Sequence, residues 1–135
     1  MMAEKRQPDD PVEWLNRARS NLKRARADAR LDGVYLEDLC FDAQQAAEKA
    51  IKALLMRRGV KFPYVHDLAR LFTLLEESGE EIPEDVRRAE ILTPYAVIAR
   101  YPTLSEPVDQ QQYREAIELA TAVLRWATER VEEEP

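Results

Sequence analysis

Apolar side chains recur along this chain at intervals of three and four residues, the period of one face of an α-helix. Residues 11–30 carry the first stripe, Val12, Leu15, Leu22, Ala25 and Ala29. It lies behind Asp9-Asp10-Pro11, which puts carboxylates and a proline where helices begin. Asp32-Gly33 breaks the pattern. Residues 35–58 hold the densest stripe, running from Leu36, Leu39 and Cys40 through Ala43, Ala47 and Ala50 to Ile51, Leu54 and Leu55. Gly59 follows as a helix-terminating glycine. In "VKFPYV", Pro63 bars helix continuation, and a third helix over 66–77 buries Leu68, Leu71, Phe72, Leu74 and Leu75. The fourth, 83–100, opens at Pro83 and contains Pro94, which kinks it or splits it in two. After the loop "YPTLSEP", residues 108–131 form a fifth helix with Tyr113, Ala116, Ile117, Ala120, Val123, Leu124 and Ala127 on one face.

Long amphipathic helices with short connections favour antiparallel neighbours, so the expected fold class is all-α, an antiparallel up-and-down bundle of about five helices. The length of 135 residues suits one domain: a flexible N-terminal segment 1–10, the helical domain 11–131 and a flexible acidic tail 132–135. If the chain reverses at every connection, Arg57, Arg58, Lys61, Tyr64 and His66 gather at one end, and the fourth helix delivers Arg100 and Tyr101 to it. Glu76, Glu77, Glu80, Glu81, Glu84 and Asp85 collect at the other, with Glu129 and the glutamates after it. That would make a basic, aromatic end and an acidic opposite end.

Composition narrows the chemistry. Net charge is −6 with a pI near 5.0, which argues against coating nucleic acid through a general basic surface and leaves a local patch open. One cysteine and one histidine exclude an internal disulfide, a cysteine-based zinc site and a histidine-rich metal site. Neither a metal nor a cofactor is expected. No apolar run approaches the roughly 20 residues that span a bilayer, and "MMAEKRQPDD" lacks a signal-peptide core, so a reducing cytoplasm is the default compartment.

Each candidate residue has a plain reading beside a functional one. Arg19, Lys23, Arg26 and Arg30 share one helical face, either a solvated face partly neutralised by Glu13 and Asp28 or a groove that tracks phosphates. His66 is a helix-start residue, a ligand contact or, through its imidazole, an acid or base. Arg100 and Tyr101 either close a helix ahead of Pro102 or recognise phosphate and base. Gln44, Glu48 and Lys52 form a polar stripe, read as a stabilised exposed face or one turned to a partner subunit. Cys40 reads as a small buried hydrophobe, Trp14 and Trp126 as core or interface anchors, and the acidic run 76–85 as solvated charge.

At "DLCFDAQQAAEKAIKALLMRRGVKFPYVHDLARLF" and then "YAVIARYP", the sequence resembles the HEPN family (higher eukaryotes and prokaryotes nucleotide-binding domain). The resemblance implies an all-α bundle that dimerises, with the small alanines of the second helix permitting close approach. It also implies a nucleotide- or RNA-binding module beside a minimal nucleotidyltransferase, in a pair of toxin–antitoxin type. Ribonucleases of the family carry an arginine, four to six residues, then a histidine. Here seven residues separate Arg58 from His66 and eight separate Arg57 from it. Neither fits, and the non-catalytic binding branch is the better match. Its candidate ligand-binding residues are Arg57, Arg58, Tyr64, His66, Arg100 and Tyr101. A metal-independent ribonuclease using His66 with Arg58 or Arg100 is the alternative, and a purely structural interaction subunit is a third.

Overall fold

The structure, a computed structural model, describes residues 10–27, 32–98 and 107–133. Among them there is no strand, and the fold is the expected all-α bundle. Three long helices, α1 (Pro11–Ala27), α2 (Leu36–Arg57) and α6 (Gln110–Glu132), enclose most of the core. Between α2 and α6 lie α3 (Leu68–Glu77), the single turn α4 (Glu84–Arg87), a 3-10 stretch over Arg88–Leu92, and the short α5 (Tyr95–Ile98). The expected fourth helix is thus split. Pro94 has no N–H to give, and Thr93 N–H bonds Glu90 O at 3.2 Å, one residue closer than an α-helix would place it.

Local chemistry sets the ends. Gly59 takes φ +71°, Val60 N–H reaches Leu55 O at 2.9 Å and Gly59 N–H reaches Met56 O at 3.0 Å, the paired bonds of a Schellman cap. The same pair closes α3, where Glu80 N–H meets Leu75 O and Gly79 N–H meets Glu76 O, both at 3.0 Å. Asp67 caps α3, its carboxylate accepting from Ala69 N–H at 3.1 Å, so the helix starts two residues beyond the expected His66. Asp109 and Gln112 form a capping box at α6, with bonds of 2.7 and 2.9 Å.

α2 is the hub, packed against α1, α3, α5 and α6. Its alanines at 43, 46, 47, 50 and 53 are wholly buried within this one chain, where they let the neighbouring helices approach closely. They therefore do not form an open face for a second subunit. Leu15, Leu39, Ile51, Leu71, Phe72 and Leu75 fill the core, each worth about 1.5–3 kcal/mol of transfer free energy. Cys40 is buried as expected; burial, outweighing a hydrogen bond with Tyr95, pushes its thiol up to about 12, so it carries no thiolate. Trp14 and Trp126 pack against the core while partly exposed.

End-to-end contacts give the course of the chain. α1 runs opposite to α2, with Arg24 bonding Asp42 at 2.6 Å and Asn21 bonding it at 2.9 Å. His66 then lies beside Glu48, in the middle of α2, and α3 climbs back until Ser78 and Glu80 meet Arg58. The 84–98 segment descends from Glu76 to the Cys40–Tyr95 contact near the start of α2. α6 rises from Glu37, which accepts Val108 N–H at 2.6 Å, to Arg57, which donates to Val131 O at 3.4 Å. One of the alternating legs is thus not a helix: residues 59–67 make the return journey along α2 as extended chain.

That leg overturns the expected separation of charge. Because α3 and α6 both rise with α2, their acidic ends finish beside Arg57 and Arg58 rather than at the far end. No helix among the described residues is long and apolar enough to cross a membrane.

Candidate functional site

Residues 59–67 lie over the polar stripe of α2, which is buried instead of exposed. Gln44, Glu48 and Lys52 are each at most 5% accessible. Lys52 Nζ donates to Glu48 Oε2 at 2.9 Å and sits 5.6 Å from the centre of the Phe62 ring. Gln44 Nε2 donates to Glu48 Oε1 at 3.1 Å and to His66 O at 3.3 Å. His66 Nδ1 lies 2.8 Å from Glu48 Oε1, although half of its ring is exposed. Burial pushes the Glu48 carboxyl up, but hydrogen bonds with His66, Lys52 and Gln44, with the Lys52 charge, outweigh it and hold the group below its ordinary value. Glu48 therefore stays ionised, fixes one ring nitrogen of His66 and leaves Nε2 without a partner among the described residues.

Beside this pair, Val65 N–H closes a tight turn onto Pro63 O at 2.9 Å, and Tyr64 at its apex is 99% exposed. Lys61 is exposed on the same segment. Tyr64 and His66 thus share one exposed segment.

Arg57 and Arg58 do not join them. Ten residues along the chain separate Glu48 from Arg58, about 15 Å of helix. Arg58 donates to Glu80 Oε2 at 2.7 Å, to Ser78 Oγ at 2.8 Å and to Ser78 O. Arg130 holds the other oxygen of Glu80 at 2.9 and 2.7 Å through Nε and Nη2. Arg57 spends its guanidinium on the carbonyls of Val131 and Glu133 at the end of α6, both at 3.4 Å. These groups line a shallow cavity of about 300 Å³, in which Glu80, 6% accessible, is the shared anion. Of the pairing of His66 with Arg58 or Arg100, the first is absent and the second falls outside the described residues, as do Arg100 and Tyr101 themselves.

Sequence reasoning did not find the Glu48–His66 contact, nor the joint hold of Arg58 and Arg130 on Glu80. It also missed the polar line between α1 and α2, where Lys49 Nζ donates to Asn21 Oδ1 at 2.7 Å and Asn21 donates in turn to Asp42. Burial first, then the nearby Arg24 charge, lowers the Lys49 pKa.

Comparison with known proteins agrees with this architecture. A crystal structure of TT1696 from Thermus thermophilus is 34% identical, with a TM-score of 0.78 over 89% of this chain and 97% of that one. The structure of ST0689, described as an archaeal HEPN homologue, is 26% identical, with a TM-score of 0.73 over 91% and 98% of the two chains. No curated protein matches. The HEPN domain family matches residues 12–131, nearly every residue of the bundle. The chain belongs to the HEPN domain family.

Proposed function

We propose that this HEPN domain binds a nucleotide or an RNA phosphate at the edge formed by Tyr64 and His66. It acts beside a minimal nucleotidyltransferase in a toxin–antitoxin-like pair, as a homodimer in the cytoplasm, and catalyses no reaction itself. The observation that carries the reading is His66, held by a buried carboxylate yet half-exposed, next to a fully exposed tyrosine ring. A tyrosine face stacks on any base, and an imidazole with Lys61 nearby offers donors to phosphate oxygens. Arg57 and Arg58, engaged elsewhere, take no part. The half-exposed apolar side chains Ile91 and Val97 support an interface with a second copy.

A metal-independent ribonuclease is the second reading, favoured by the carboxylate-held imidazole, since that arrangement suits an acid or base. Against it stands Arg58, committed to Glu80 and Ser78 and so withdrawn from stabilising charge beside His66.

The test is thermal unfolding with ATP or a short RNA. At about one hundred times its Kd, a ligand raises stability by about 2.7 kcal/mol. Tyr64→Ala and His66→Ala are expected to abolish the shift given by ATP while leaving the fold intact. RNA cleavage by the wild-type protein that His66→Ala removes would establish the ribonuclease instead. If no nucleotide or RNA shifts the transition but a nucleotidyltransferase does, the structural-subunit reading holds.

A further inference from the structure

A wide cavity lies away from His66. It is an open groove of about 890 Å³ between α1 and α6, within the usual range of ligand sites. Arg19, Lys23 and Arg26 line it, spaced i, i+4 and i+7 on one face of α1, with Asn16 and Ser20 beside them and Leu22 and Leu124 beneath. Along the helix axis they span about 10 Å.

What they touch is as informative as where they stand. Arg26 donates to the Thr121 hydroxyl at 2.7 Å and Arg19 to the Asn16 amide oxygen at 3.1 Å, both neutral acceptors. Lys23 makes no ion pair among the described residues. A single acid approaches among them, Glu132, at 3.9 Å from Arg19 with both side chains well exposed, a contact that solvent screens. The other cations of α1 face elsewhere, Arg24 onto Asp42 and Arg17 onto Glu13. α1 therefore keeps three positive charges in one trough on a chain whose net charge is −6. Such local focusing attracts anions in spite of the overall sign.

We propose that this groove is a phosphodiester-backbone site, taking a single strand of RNA along α1 independently of the Tyr64–His66 edge. A strand running along the helix can set one phosphate against each of the three cations. Glu132, at the Arg19 end, is a tethered competitor that a bound strand displaces.

The test is fluorescence anisotropy of a labelled, short single-stranded RNA with the full chain. Three phosphate contacts predict a salt slope of about −2, hence binding about twentyfold weaker when salt rises from about 50 to about 200 mM. The combined variant Arg19→Ala, Lys23→Ala, Arg26→Ala is expected to weaken binding at least about tenfold and to flatten that slope. Glu132→Gln is expected to tighten it. Equal binding of single-stranded DNA supports a backbone site, whereas inorganic tripolyphosphate competing as well as the strand overturns it in favour of a small polyphosphate. Absence of RNA binding by the wild-type protein, or binding unchanged in the triple variant, also overturns it. The two sites separate cleanly, because His66→Ala is expected to leave this binding intact and the triple variant to leave the ATP shift intact. Loss of both through His66→Ala would remove the case for a separate groove.

Discussion

Two regions of this molecule are equally rich in cations, and they are opposite in character. At the far end of α2, Arg57, Arg58 and Arg130 converge, but Glu80 and the last carbonyls of α6 consume them. On α1, Arg26 stands against a hydroxyl, Arg19 against an amide and the exposed Glu132, and Lys23 against open solvent. Counting basic residues would rank the regions alike. What separates them is which acids the fold brings within reach. The difference also assigns roles: the first cluster ties α2, α3 and α6 together, and the second is available to a ligand.

Substitutions can sharpen that contrast, because engaged charges should matter for stability and unengaged ones should not. The largest effect is expected at the buried pair beneath His66. Glu48→Ala strands Lys52 inside the protein and should cost about 3–5 kcal/mol in chemical denaturation. Glu48 also sets an acid limit. Its carboxyl is depressed by folding, so near and below the ordinary value of 4.5 the unfolded chain binds more protons there than the folded one. Its stabilising contribution is complete above that value and disappears as pH falls through the lower folded one. Glu48→Gln should flatten this acid-side decline in Tm, and an unchanged profile would deny the network its role.

Glu80→Ala comes next, at about 2 kcal/mol, reduced because Arg58 and Arg130 both reach solvent. At the other end of the scale, Lys23→Ala should change stability by less than about 0.5 kcal/mol. A large loss there would show that the α1 cations are structural after all.

The sequence exposed some of these features and hid others for physical reasons. Helical periodicity revealed the long helices, and Pro94 announced the break in the fourth, because both signals are local. The direction of α3 was hidden, since nothing local says whether residues 59–67 form a corner or an extended leg. At roughly 3.3 Å per residue they easily cover the distance of about 15 Å back to Glu48. One overlooked signal was present: the apolar positions of α2, from Leu39 through Ala46 and Ala53 to Leu55, cover more than half of the helix circumference. So wide an apolar face calls for neighbours on most sides of the helix, which leaves little open surface for the polar stripe at Gln44, Glu48 and Lys52. The α1 face was legible as a stripe of charge. That only Glu132 approaches it among the described residues was not, because that depends on α6 presenting Thr121 and Leu124 there.

The most direct measurement sets the two clusters against each other in one assay, the salt-dependent binding of a short single-stranded RNA. Arg57→Ala with Arg58→Ala is compared with the Arg19, Lys23, Arg26 triple alanine variant, at a temperature where both remain folded. The expected result is that the triple variant loses affinity and salt dependence while the Arg57–Arg58 variant keeps both. RNA binding that disappears with Arg57 and Arg58 and survives the loss of the α1 cations would contradict the account.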